Sequence, residues 1–267
     1  MSKSEKSSVK SSFLTYRVWK VWFRDFDVFK KTFLVNFLPP LLEPILYLTA
    51  FGFGLGSLVQ GTIEGYSYIQ YIAPGLVAIT IMYSSFFECT YGSFVRMYFQ
   101  RTFDAIIATP ISIEEVIAGE LLWGATRSLI SSLIVLAVLA VFGLIQSTLF
   151  VLVPLLAFFG GLMFSSIAMC FTSLASNIDF FNYPSFLFIT PMFLLCGTFF
   201  PISNFPAGVQ LFARAVLPLT HVVNLARGFI LGSLNWPTLS LAVIWIAAVT
   251  PIFFGLSIIS MKRRLIR

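Results

Sequence analysis

Few residues in this apolar chain could do chemistry, and the charges buried in its long hydrophobic runs come first. Glu43 lies in LLEPIL, Glu88 in FFECTY, and Glu120 and Arg127 share GELLWGATR. A charge at bilayer depth costs roughly 2.5–3.5 kcal/mol on insertion scales, so such groups face a cavity or a partner rather than lipid. Glu43, Glu88 and Arg127 are therefore expected to face a bundle interior, as polar contacts for a substrate headgroup or as gate ion pairs. Structural pairing between helices is the competing reading.

The rest of the inventory points away from catalysis. His221 is the one histidine, and a lone histidine in an apolar helix is ordinarily structural. Cys89, Cys170 and Cys196 sit in apolar segments, cannot all pair, and lack metal-ligand spacing. No nucleophile–base pair, metal cluster or carboxylate dyad can be assembled, and no G-x-x-x-x-G-K-[ST] occurs. Gly52, Gly54 and Gly56 mimic a nucleotide fingerprint but end an apolar run with no strand before them. The chain is not expected to be an enzyme, to hold a metal or to bind nucleic acid.

These charges need a scaffold, and composition names its class. Of 267 residues 58% are hydrophobic and 10% charged, against roughly 25% charged in a soluble domain. Thirty-one Phe and nine Tyr suit a lipid-facing surface. The fold class is an all-α polytopic membrane protein. Crossing ~30 Å of hydrocarbon takes roughly 20 residues. Six runs qualify, at about 32–57, 68–95, 114–142, 149–175, 183–200 and 236–260. Gly160-Gly161 in the fourth should permit close helix packing, while Pro39, Pro40, Pro44 and Pro191 allow kinks in the first and fifth.

Lysines and arginines set the orientation. Basic residues precede the first run, Arg96 and Arg101 lie in the second connection, and Lys262, Arg263, Arg264 and Arg267 follow the last. The connections near 58–67 and 143–148 carry none, so both termini are expected in the cytoplasm; Arg214 and Arg227 on the outside weaken the rule slightly. Residues 1–12 are Ser/Lys-rich and expected to be disordered, and no cleavable signal peptide is read there. From Phe13 a helical period sets Arg17, Lys20, Arg24, Asp27 and Lys31 against Val18, Trp19, Trp22, Phe26 and Phe29. That pattern fits an interfacial amphipathic helix at about 13–29, within a cytoplasmic N-terminus of residues 1–31, lying in the headgroup layer. An ordinary start to the first span is the alternative.

The stretch organising the chain is Glu88–Glu120, the charge-dense block between spans two and three. Ser112-Ile-Glu-Glu115 has the form of a capping box, which starts the third span's helix at Ile113. Arg101–Ala108 can make two helical turns before Thr109-Pro110 stops them. A short helix there would suit a soluble motor as a socket, although a solvated turn is the plainer reading. The segment 200–235, broken by Pro201, Pro206 and Pro218, is too interrupted to span and too apolar for water. Re-entrant outer helices between spans five and six are expected.

Three blocks carry a family resemblance: Tyr47–Gly56; Phe87–Ser112, with Phe87-Glu88, Arg96-Met97, Gln100-Arg101-Thr102 and Ala105; and Thr190-Pro191-Met192 through Gly197, Phe200-Pro201, Pro206, Pro218-Leu219-Thr220, Arg227 and Gly232. On these residues the chain resembles the type-2 ABC exporter permeases, most closely the nodulation-factor (lipo-oligosaccharide) exporter group. The resemblance implies a six-span permease, 32–260, in the cell inner membrane, pairing with a second permease copy and two copies of a cytosolic ABC ATPase that binds ATP and Mg. It implies a coupling helix at about 100–109, with Gln100, Arg101, Thr102, Asp104, Thr109 and Pro110 as the ATPase-coupling residues. It further implies outward movement of an amphipathic substrate, a lipid-linked saccharide or lipo-oligosaccharide. A drug or other lipid exporter of the same family, a six-span secondary transporter using Glu43 and Glu88, and a non-transporting assembly factor are the alternatives.

Overall fold

The computed structural model describes residues 15–56, 61–233 and 235–266. The Ser/Lys-rich tract at 1–12, the helix start at Phe13, residues 58–60 of the connection near 58–67 and Arg267 lie outside that range. Among the described residues the fold is helical throughout; the extended pairing it records is one isolated bridge, Ile63 with Tyr66.

Among the described residues six helices are long and apolar enough to cross a membrane: Phe33–Gly52, Tyr68–Phe99, Ile113–Val141, Thr148–Leu174, Ile178–Leu195 and Trp236–Leu265. We call them spans one to six. The expected runs are all present, with shifted ends. Span five begins five residues before the expected 183, because Asn177 caps it by accepting from the Phe180 N–H at 3.0 Å. It ends at Leu195, where Gly197 at φ 77° turns the chain. Span six continues past residue 260 through Lys262–Arg264, which suit the negative end of a helix dipole. Pro39, Pro40 and Pro44 lie inside a continuous helix, followed by a π-helical turn at Ala50–Leu55.

Spans two, three and four form the buried centre, and spans one, five and six keep mostly exposed faces. The expected close packing in span four falls on Gly161: a Cβ there would lie 2.6 Å from Ser128 Cβ of span three. Ser128 donates to the Ala157 carbonyl at 3.0 Å across the same seam.

One end of the bundle gathers the first and last described stretches of the chain. Arg17 donates to the Pro110 carbonyl and Thr15 to Glu115. At the other extreme of the chain Lys262 pairs with Glu114. We call this the proximal end. At the distal end helices Ala207–Val216 and Pro218–Leu231 meet at 87°, a bent pair in the place expected for the re-entrant segment. The second of these is buried along most of its length, and the lone histidine is structural: His221 stacks on Trp245 with centroids 4.7 Å apart.

The N-terminal helix, Val18–Lys31, is amphipathic as expected, but its faces are rotated. Val18, Val21, Asp25 and Phe29 form its buried stripe. Trp22 and Phe26 turn toward Trp123 of span three, and Trp22 Nε1 donates to Thr126 Oγ1 at 2.8 Å. Arg24, expected on the outward basic face, points inward instead. The reason is the partner waiting there: Asp25 and Glu120 supply two carboxylates to which a buried guanidinium can bind.

Candidate functional site: a charged cluster above the connecting helix

Arg96 is the centre of the proximal end. It lies in the π-helical stretch Val95–Phe99, which closes span two. Its guanidinium donates to Glu88 Oε1 at 2.8 Å from one nitrogen, and to Glu120 Oε2 at 2.6 and 3.0 Å from the other two. Glu88 and Arg96 are eight residues apart on one helix, and Glu120 comes from the first half of span three. Ser93 adds a hydrogen bond to Glu120 Oε2 at 2.7 Å, and Trp123 Nε1 one to Glu88 Oε1 at 3.0 Å.

Two further cations and one carboxylate complete the cluster. Arg127 Nε lies 3.4 Å from Glu88 Oε2, with its guanidinium over the Phe29 ring at 4.9 Å. Arg24 reaches Glu120 Oε1 at 3.5 Å and pairs with Asp25, which in turn stands 3.9 Å from Arg96. Three arginines thus face three carboxylates, drawn from the N-terminal helix and spans two and three. Breaking such a cluster leaves a buried charge uncompensated, so it fixes how these elements sit together. Burial and the neighbouring Glu120 push the Asp25 carboxyl up to about 7, against the pull of Arg96 and Arg24.

The structure brings together two of the three expected gate residues, Glu88 and Arg127. Glu43 stands apart. It opens on a groove along span one between Pro39 and Phe51, about 10 Å beyond Asn36 along the helix, with no ion-pair partner among the described residues. The residues the sequence reading missed are Arg96 as hub, Asp25, Arg24 and Ser93. The available signal was the Glu88–Arg96 spacing, which places the two on one side of a helix with Gly92 between them.

Below the cluster the chain turns sharply. Arg101 takes the left-handed conformation, φ 49°, and starts the short helix Thr102–Ile107. Phe103 is fully buried and anchors that helix, whereas Arg101, Asp104, Ala105, Ala108, Thr109 and Pro110 are exposed. Thr109 Oγ1 returns to the Ile106 carbonyl at 2.6 Å. Ser112 then caps span three as expected: its hydroxyl accepts from the Glu115 N–H at 3.3 Å, and Glu115 accepts from the Ser112 N–H at 2.8 Å.

Similarity to known sequences extends along nearly this whole chain. The profile of the ABC-2 type transporter family matches residues 16–231. The chain belongs to the ABC-2 type transporter family. It is 38% identical to nodulation protein J of Bradyrhizobium diazoefficiens, over 94% of this chain and 95% of that one. Nodulation protein J of Rhizobium meliloti is 37% identical over 92% of each. The inner membrane transport permease YadH of Escherichia coli is 26% identical over 80% of this chain and 82% of its own. This chain is thus a membrane permease component of an ABC-2 type transporter. Its Gln100–Pro110 segment, exposed except around the buried Phe103, borders an open cavity of about 540 Å³ that also reaches the charged cluster. Gln100 and Thr102 stand on the cavity's rim, and Glu88, Arg96 and Arg127 on its wall.

Proposed function

We propose that this ABC-2 permease exports an amphipathic substrate, a lipo-oligosaccharide or lipid-linked saccharide, driven by a separate ABC ATPase that holds the ATP and Mg. The active assembly is two copies of this chain with two ATPase copies, in the cell inner membrane with both termini cytoplasmic. The ATPase grips Arg101, Asp104, Thr109 and Pro110, and Gln100 and Thr102 pass the push upward. Glu88 and Arg127 line the path. The substrate class follows the resemblance to the nodulation-factor exporter group together with the apolar, lipid-facing spans.

One observation carries the reading. The short helix is tethered by a single buried residue, Phe103, and offers a polar outer face, yet it hangs from a residue stretch that ends in the Arg96 cluster. Force applied to it must reach spans two and three together. The expected result is co-purification with a cytosolic ABC ATPase partner, lost in Asp104→Lys and in Arg101→Glu while both variants insert and fold. Retained co-purification in both would remove the socket. A secondary transporter needs a chain of carboxylates at mid-membrane, and the separation of Glu43 from Glu88 speaks against one.

A further inference from the structure

Within the charged cluster, Arg127 is the arginine whose bonding is incomplete. Four polar atoms there are buried without a hydrogen-bond partner: Arg24 Nη1, Asp25 Oδ2, Glu120 Oε1 and Arg127 Nε. The first three belong to one group, in which Arg24 pairs with Asp25 and stands 3.5 Å from Glu120 Oε1. Arg127 has no such company. Its guanidinium makes no hydrogen bond among the described residues. It stacks on Phe29 and stands 3.4 Å from Glu88, a carboxylate already bonded by Arg96 and Trp123. The Asp25 carboxyl, raised to about 7, leaves the three arginines facing fewer than three full negative charges near neutral pH. The surplus lies on the wall of the 540 Å³ cavity, where the side chains of Tyr91, Gln100 and Thr102 can each donate to an anion as well.

The surroundings say what carries that anion. Span one, Phe33–Gly52, has 20 residues and a length of about 30 Å, so its first turn marks the edge of the hydrocarbon. Arg127 lies at that edge, since it stacks on Phe29 and shares the cavity wall with Thr32 and Asn36. From there an apolar groove of about 450 Å³ follows the same two spans inward, between Phe37, Leu41 and Ile45 of span one and Ile134, Ala137 and Val141 of span three. Phe37 follows Asn36 directly, so the cationic cavity and the groove are continuous. The groove runs about 12 Å along span one and is open toward the exposed Val141. A cationic pocket at headgroup depth that passes into an apolar groove fits one amphipathic anion of the bilayer itself. A zwitterionic head would add an ammonium, and every carboxylate of the cluster already stands within ion-pair distance of an arginine. We infer that a membrane phospholipid of net negative charge binds here, with its phosphate on Arg127 and one acyl chain in the groove between spans one and three. It is a resident part of the fold and independent of what the permease exports.

The test is native mass spectrometry of the full-length chain, delipidated in detergent and then given equimolar phosphatidylglycerol and phosphatidylcholine with the same acyl chains. Phosphatidylglycerol should be retained in preference, and Arg127→Gln should lower its retention about tenfold, the worth of a charge-assisted hydrogen bond. Ala137→Trp fills the groove from an exposed position and leaves every charge in place, so it should lower retention as well, and it decides alone if Arg127→Gln does not fold. The same bulk at the exposed Ala248 of span six should change nothing. Equal retention of the two lipids, or unchanged retention in either folded variant of Arg127 or Ala137, overturns the inference. So does displacement of the lipid by inorganic phosphate, which would reduce the site to one for a free anion. None of these readouts involves transport or the ATPase, so the export reading stands or falls separately.

Discussion

At the scale of single residues, Arg96 is the side chain on which the proximal end depends. Arg96→Leu would strand Glu88 and Glu120, the second of them fully buried, and breaking a buried pair from one side costs about 3–5 kcal/mol. Arg96→Lys keeps the charge but not the three-nitrogen fork that reaches both carboxylates, so it should fall between wild type and Leu. Glu43→Gln should change stability little, because Glu43 has no ion-pair partner. Thermal unfolding of the purified variants in one detergent checks the order; a Glu43→Gln loss as large as that of Arg96→Leu would refute it. Asp25 gives a pH test with a definite sign. Its carboxyl is at about 7 in the folded protein against an ordinary 3.8, so between those values the folded state holds a proton that the unfolded state releases. This residue's contribution is complete below pH 3.8 and is lost as the pH rises through about 7. Asp25→Asn cannot ionise, so its melting temperature should drop less between pH 5 and pH 8 than that of wild type. A larger drop in the variant would contradict the burial described.

Between elements, the N-terminal helix closes on span three because of one residue. A Cβ on Gly119 would lie 2.6 Å from Val21 Cβ and 3.1 Å from the Val18 carbonyl oxygen, so the two backbones approach as closely as only glycine allows. Gly119→Leu should wedge the helix away, pull Arg24 and Asp25 out of the cluster, and open Trp22 to solvent. The measurement is tryptophan emission, expected to shift to the red, with limited proteolysis within residues 15–31 rising. Unchanged emission and proteolysis would mean the helix is held elsewhere. Local signals in the sequence were enough for the elements themselves. The Ser112–Glu115 capping box, the stop at Thr109-Pro110 and the six long apolar runs each depend on neighbours within four residues or on summed hydropathy. The cluster was hidden because its members come from positions 24, 25, 88, 96, 120 and 127, and only the packing of three helices decides which of them meet. The rotated face of the N-terminal helix has the same origin. Periodicity separates polar from apolar residues, but it cannot say that Asp25 and Arg24 will be drawn inward by Glu120. Glu43 shows the converse: an intramembrane carboxylate looks the same in sequence whether it joins a network or stands alone.

For the whole molecule, the question is which end faces the cytoplasm. The first and last described stretches of the chain, the short helix and the charged cluster share the proximal end, with Arg17, Lys20, Lys30, Lys31, Arg101 and Lys262–Arg264 around it. The distal connections carry Glu64 and no cation, and the bent pair carries Arg214 and Arg227. Those two outer arginines oppose the positive-inside rule on a plain count, but they are not alike. Arg227 lies 4.0 Å over the Tyr71 ring and donates to the Gly197 carbonyl at 2.9 Å, where it secures the turn after span five. It is a structural cation of the folded bundle, which leaves Arg214 as the one remaining outer cation against at least eight at the proximal end. The proximal end should therefore be cytoplasmic. Cys89 and Cys196 are buried and Cys170 is partly so, which leaves surface positions free to report. In intact cells a membrane-impermeant maleimide should label Glu64→Cys and spare Gln100→Cys, and in inside-out vesicles the pattern should reverse. Labelling of Gln100→Cys from outside intact cells would place the Arg101–Pro110 surface beyond the reach of any cytosolic ATPase. The charged cluster would then stand as a structural lock alone, with nothing to drive it.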